Sequence, residues 1–135
     1  PQILYWNIEE HYEHIKAAGG YFVHAHPFRE ASYIKKIRLF PNHVDAVEII
    51  NSSHDNLNFD KRANKYALSN KLKVIAGSDS HHANDIRGGM VFDHKLEDIN
   101  DFIKSIESGE DIGLVRDHRE LIYDYKKVSC NTGKL

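Results

Sequence analysis

The chain has a single cysteine, Cys130, in 135 residues. One thiol cannot close an intramolecular disulfide, which fits a reducing compartment such as the cytoplasm. Long apolar runs are also missing. None approaches the ~20 residues of a membrane span. The opening PQILYW has neither the basic nor the long apolar part of a secretory leader, so no membrane partner is expected. Neither charge dominates: Lys plus Arg number 18 and Asp plus Glu 20, a net charge of −2. That balance leaves no electrostatic footprint for nucleic acid, although a local basic patch stays compatible with it.

What is present is ordinary for a soluble globular protein: 41% hydrophobic and 28% charged residues. The length suits one domain with one modest core. The ten histidines stand out. Histidine is the commonest metal ligand, so their placement carries the functional reading.

Two stretches draw attention. VIAGSDSHH, residues 74–82, reads as a buried strand with a polar tip. Gly77 lets the backbone bend or pass close to another group. Asp79 and His81 follow at a spacing of two, and in an extended segment they would share a side. A carboxylate and an imidazole so placed suit a divalent ion such as Zn, Mn or Fe. HAHP, residues 24–27, likewise ends an apolar strand, with His24 and His26 at the same spacing.

Residues 7–18 read as a helix. Asn7 can cap it, Glu10 completes a capping box, and Ile8, Tyr12 and Ile15 form one face. Gly19-Gly20 ends it. His11 and His14 lie on this helix and read as surface residues, with no carboxylate partner of metal-site type nearby. Residues 21–26 read as a buried strand that Pro27 stops. Residues 31–40 read as a short helix with Ile34, Ile37 and Leu39 or Phe40 inward. Residues 45–50 form the next strand. It contains Glu48, and buried carboxylates need a partner or a metal. Asn51 to His54 form its polar tip.

Residues 58–71 read as a helix whose Lys61, Arg62 and Lys65 make a solvated face. After the strand at 73–76 come a loop at 82–89, a strand at 90–92 and an amphipathic helix at 96–108. In that helix Ile99, Phe102, Ile103 and Ile106 follow the helical period, and Gly109 can cap it. Residues 113–115 and 121–125 read as terminal strands, and 130–135 as a frayed end. Strands alternating with helices point to an α/β fold with mainly parallel strands. In such folds the chemistry sits at the C-terminal strand ends. All three polar tips lie there.

HAHPFR, VDAVEIIN and LKVIAGSDSHH with its following glycine pair resemble the later part of the PHP (polymerase and histidinol phosphatase) family. The resemblance covers residues 19–92, and GSDSH is its specific element. It implies part of a distorted seven-stranded β/α barrel. Two or three divalent ions (Zn, Mn or Fe) would sit in its mouth and activate a water against a phosphoester. By this likeness His26, Asp79 and His81 match metal ligands. His24 stands where the family often has an apolar residue and is kept only as a further candidate ligand. Glu48 and Asn51 fall in a strand that borders the substrate.

The family's opening H-x-H strand has no counterpart before Gly19. Residues 1–135 are therefore expected to be a partial domain, completed by a missing N-terminal part or a second chain. The expected activity is hydrolysis of a phosphomonoester or phosphodiester, with a phosphorylated small molecule or nucleotide as substrate. Arg29 or Arg87 would clamp the phosphate, and His54 or His82 would protonate the leaving oxygen. A non-catalytic domain of the same shape, regulatory or polymerase-associated, is the first alternative. An amidohydrolase-like C–N hydrolase is the second.

Overall fold

A computed structural model describes residues 6–110 and 112–118. Its elements run α1 (Ile8–Ala17), β1 (Val23–His24), β2 (Ala46–Asn51), α2 (Asn58–Asn70), β3 (Lys73–Gly77), β4 (Gly89–Phe92), α3 (Ile99–Ser108) and β5 (Ile112–Val115). Strands β1, β2 and β3 form a parallel sheet in that order, and β4 pairs with β5 in an antiparallel ribbon beside β3. The architecture is thus mixed α/β. Among the described residues there is no closed barrel.

The centre of the molecule is β2. All six of its residues are buried, as expected for a central strand paired on both edges and covered on its faces. Helix α2 packs across it. The buried residues of α2 are Asp60, Ala63, Asn64, Tyr66 and Ala67, one stripe at helical spacing. Val47, Ile49, Ile50, Ala63, Tyr66, Ala67 and Ala76 form the core cluster, with Phe28, Val74, Met90 and Leu114 packed against it. The N-terminal member of the α2 stripe is a carboxylate, Asp60, so a charge is buried where the helix passes the end of β2.

Local signals account for the helix ends. Asn7 accepts from the Glu10 backbone N–H while the Glu10 carboxylate accepts from the Asn7 N–H, the full capping box. Asp98 caps α3, and Gly109 closes it in the left-handed region at φ 66°. The expected strand at 121–125 lies outside the described residues, as does Cys130.

Two expectations need correction. Residues 31–40 form no regular helix. Ala31, Ile34, Ile37 and Phe40 are the half-buried positions, and the residues between them are exposed. That period is three residues, not 3.6, so the segment lies along the surface as an irregular ribbon. Leu39 stays outside at 40% exposure. The first strand is also shorter than the apolar run suggested. It ends at His24, and His26 takes φ 32°, which breaks the alternation that would have put the two imidazoles on one side.

Candidate functional site

The C-terminal ends of β1, β2 and β3 bring together His26, Glu48, Asn51, His54 and Asp79, with Arg29 beside them. Glu48 is the hub. It is 8% exposed, and its Oε2 accepts from the His26 backbone N–H at 2.8 Å and from the Asn51 side-chain amide at 3.0 Å. Glu48 and Asn51 are three residues apart and would face opposite ways in a regular strand. The β2–β3 register slips between Glu48 and Ile50. One extra residue in β2 turns Asn51 back onto Glu48, as a β-bulge does.

The group that Gly77 makes room for is Glu48. A Cβ at Gly77 would lie 2.5 Å from Glu48 Oε1, so any side chain there would push the Glu48 carboxylate aside. The chain then turns sharply. Asp79 has φ 49°, in the left-handed region, a conformation that is uncommon outside glycine and concentrated at functional sites. The segment is therefore not extended, and the expectation that Asp79 and His81 point to a common spot fails for that reason. The Asp79 carboxylate turns to Arg29, whose Nη1 donates to Oδ2 at 2.7 Å. A turn from His26 to Arg29, closed by the Arg29 N–H on the His26 carbonyl, places this guanidinium.

His54 belongs to a second, deeper group. Its Nδ1 lies 2.7 Å from Asp60 Oδ1, and the two side chains are 5% and 4% exposed. A carboxylate can only accept, so Nδ1 carries the proton. Asp60 Oδ2 accepts from the Asn51 backbone N–H at 3.2 Å and from Arg116 Nη2. The other nitrogen of that guanidinium, Nη1, donates to the Asn51 carbonyl at 3.1 Å. Nε2 of His54 is buried without a hydrogen-bond partner among the described residues. Burial pushes the His54 imidazole below its usual pKa. Glu48 and Asp79 pull the other way, and Arg29 and Arg116 reinforce the drop. At neutral pH the ring is therefore uncharged. Its edges meet Phe59, with ring centroids 5.3 Å apart, and His26, at 6.4 Å.

The remaining expected residues lie elsewhere. His24 packs against Phe40 and Tyr66. Its Nδ1 is buried with no hydrogen-bond partner among the described residues, and burial lowers its pKa. His81, His82 and Arg87 are on the exposed loop. The Nδ1 of His81 is 3.0 Å from the Asp79 carbonyl, and the Arg87 carbonyl accepts from the His118 N–H at 2.8 Å.

The donor set can be tested against a divalent ion. Among the described residues no three His, Cys, Asp or Glu side chains converge as a metal-binding group. Glu48 Oε2 already holds two donors, and Asp79 is turned onto Arg29. These residues by themselves do not fit a complete coordination shell.

Asp60 and Arg116 escaped the sequence reading. An acid in the first turn of a helix is ordinary there, and only its place at the head of the apolar stripe of α2 sets it apart. No sequence signal singles out Arg116, which lies 56 positions from Asp60.

Residues 59–110 match the family model described as PHP-associated. The matched segment contains Asp60, Asp79, His81 and Arg87. His26, Arg29, Glu48, Asn51 and His54 lie before it. The chain thus carries a PHP-associated segment, in keeping with the C-terminal portion of a PHP protein. Neither the curated proteins nor the solved structures gave a match. No helix among the described residues is long and apolar enough to cross a membrane.

Proposed function

We propose that the chain is the C-terminal portion of a metal-dependent phosphoesterase and forms one side of its active-site mouth. The single observation behind this reading is the gathering of Arg29, Glu48, His54 and Asp79 at the C-terminal ends of three parallel strands, where α/β folds hold their ligands. On this reading Arg29 is the phosphate contact. It is 30% exposed and tied to Asp79, so an arriving phosphate would compete with that carboxylate for its planar donors. Neutral His54 starts as an acceptor rather than an acid. The exposed His82 is then the better source of a proton for a leaving oxygen.

The PHP likeness implies divalent ions. His26, Asp79 and His81 would be this chain's contribution, with other ligands coming from a longer chain or a partner. The barrel belongs to the same proposal: the three parallel strands would be a segment of it. The substrate class follows only as far as a phosphomonoester or phosphodiester.

The test uses the intact protein. Asp79→Asn and Arg29→Ala should each lower phosphoester hydrolysis by ~100-fold or more. Unchanged hydrolysis in both would sink the proposal. A non-catalytic role is the second reading, favoured by the engagement of Glu48 and Asp79 within the chain. It predicts no hydrolysis of any phosphoester by the intact protein and no loss of partner binding on mutation of Arg29.

A further inference from the structure

The unmatched nitrogen of His54 is the feature that neither packing nor the phosphate reading absorbs. A buried polar atom without a partner costs about 1–3 kcal/mol, and an apolar side chain of the same shape would avoid that cost. The chain instead surrounds this imidazole with polar machinery. Asp60 takes its Nδ1 proton. Arg116 and the Asn51 backbone N–H hold Asp60. Arg116 is in turn fixed by the Asn51 carbonyl, and the Ser52 hydroxyl donates to the Arg116 carbonyl at 2.6 Å. Four residues thus converge to set the orientation of one ring, and the outcome is a lone pair on Nε2.

We propose that Asp60 is a positioning residue. It fixes the proton of His54 on Nδ1 and so presents Nε2 as a hydrogen-bond acceptor for a hydroxyl, from water or from a phosphate, bound in the strand-end cluster. The arrangement follows the general rule that a functional imidazole has its tautomer set by the bond that its other nitrogen makes. This inference deepens the proposed phosphate site. Its test needs no turnover, so it can fail while hydrolysis stands, or hold where hydrolysis is absent.

The experiment is a long-range 1H–15N correlation of the imidazoles in the labelled 135-residue chain near neutral pH. The His54 resonances are identified by their loss in His54→Gln. The expected spectrum has His54 protonated at Nδ1 and bare at Nε2, with Nε2 shifted toward the hydrogen-bonded value. A shift already present in plain buffer assigns the donor to water. A shift that appears only with inorganic phosphate assigns it to the phosphate hydroxyl. A proton on Nε2, or an Nε2 that stays at its unbonded value in both conditions, overturns the proposal. Asp60→Asn should move the tautomer toward Nε2–H, because its amide can donate to Nδ1. Where that variant does not fold, Asp60→Glu serves, with partial loss of the Nδ1–H form expected. A tautomer unchanged in the folded variant removes the positioning role.

Discussion

Asp45 and Asp60 flank the two ends of β2, and each carboxylate collects three donors. Asp45 takes the Tyr12 hydroxyl at 3.2 Å, the Lys16 ammonium at 3.0 Å and the Phe22 N–H at 2.7 Å. Those contacts pin α1 and the lead-in to β1 onto the sheet. Asp60 takes His54, Arg116 and the Asn51 N–H, and one of those donors carries a second nitrogen with no partner. The same number of bonds thus yields a fastening at one end and an unspent acceptor at the other. The two networks are equally rich and differ in what one of their donors keeps beyond the bond to the carboxylate.

That contrast can be broken or sharpened by measurement. The largest effect is expected at the buried end. Asp60→Ala strands His54, Arg116 and a backbone N–H, and should cost about 3 kcal/mol in urea unfolding. A loss no larger than that of Asp45→Ala would erase the distinction between the two ends. Gly77→Ala comes next. Its new methyl must displace the Glu48 carboxylate, and the expected cost is about 1–3 kcal/mol. Asp45→Ala should cost about 2 kcal/mol and leave the His54 imidazole signals where they were. A change in those signals would show the two networks to be coupled. Removing the Asn7 cap with Asn7→Ala is the smallest, about 1 kcal/mol, again without effect on His54.

Acid provides a further separation. Burial lowers His24 and His54 below the usual 6.5. As pH falls below about 6.5, the unfolded chain takes up protons that these buried rings refuse. Stability therefore drops with pH in that window and is insensitive to these two groups above it. His24→Leu should flatten part of this acid limb in pH-dependent unfolding. An acid limb as steep as in the unaltered chain would place the effect elsewhere.

The sequence was most informative where one periodicity ran unbroken. The capping box of Asn7 and Glu10, the helix expected at 58–71 and the inward Phe102, Ile103 and Ile106 of α3 stood close to their expected places, whereas α3 begins at Ile99 rather than 96 and leaves Ile99 65% exposed. The space left by Gly77 and the demand of Glu48 for a partner were both readable: the glycine makes room for the carboxylate, whose partners are the His26 N–H and the Asn51 amide. Residues 31–40 misled because apolar residues at a three-residue period look helical over so short a span. Asp79 and His81 misled because the alternation rule holds only while the backbone stays extended, and nothing in GSDSH announces φ 49° at its aspartate. Arg116 was unreadable for a different reason. It joins the site through tertiary folding, and no local rule links a residue after one strand to an acid at the head of a distant helix.

The position of Arg116 has a consequence for biosynthesis. During translation β1, β2, β3 and α2 emerge well before it, so the nascent chain can form the sheet and bury Asp60 and His54 together while the guanidinium is still inside the ribosome. The bond from Arg116 to Asp60 would then form after the His54–Asp60 pair is already in place. A ribosome-stalled chain ending before residue 116 would offer the core without its clamp, a natural stage at which a chaperone or a partner chain could reach the open strand ends.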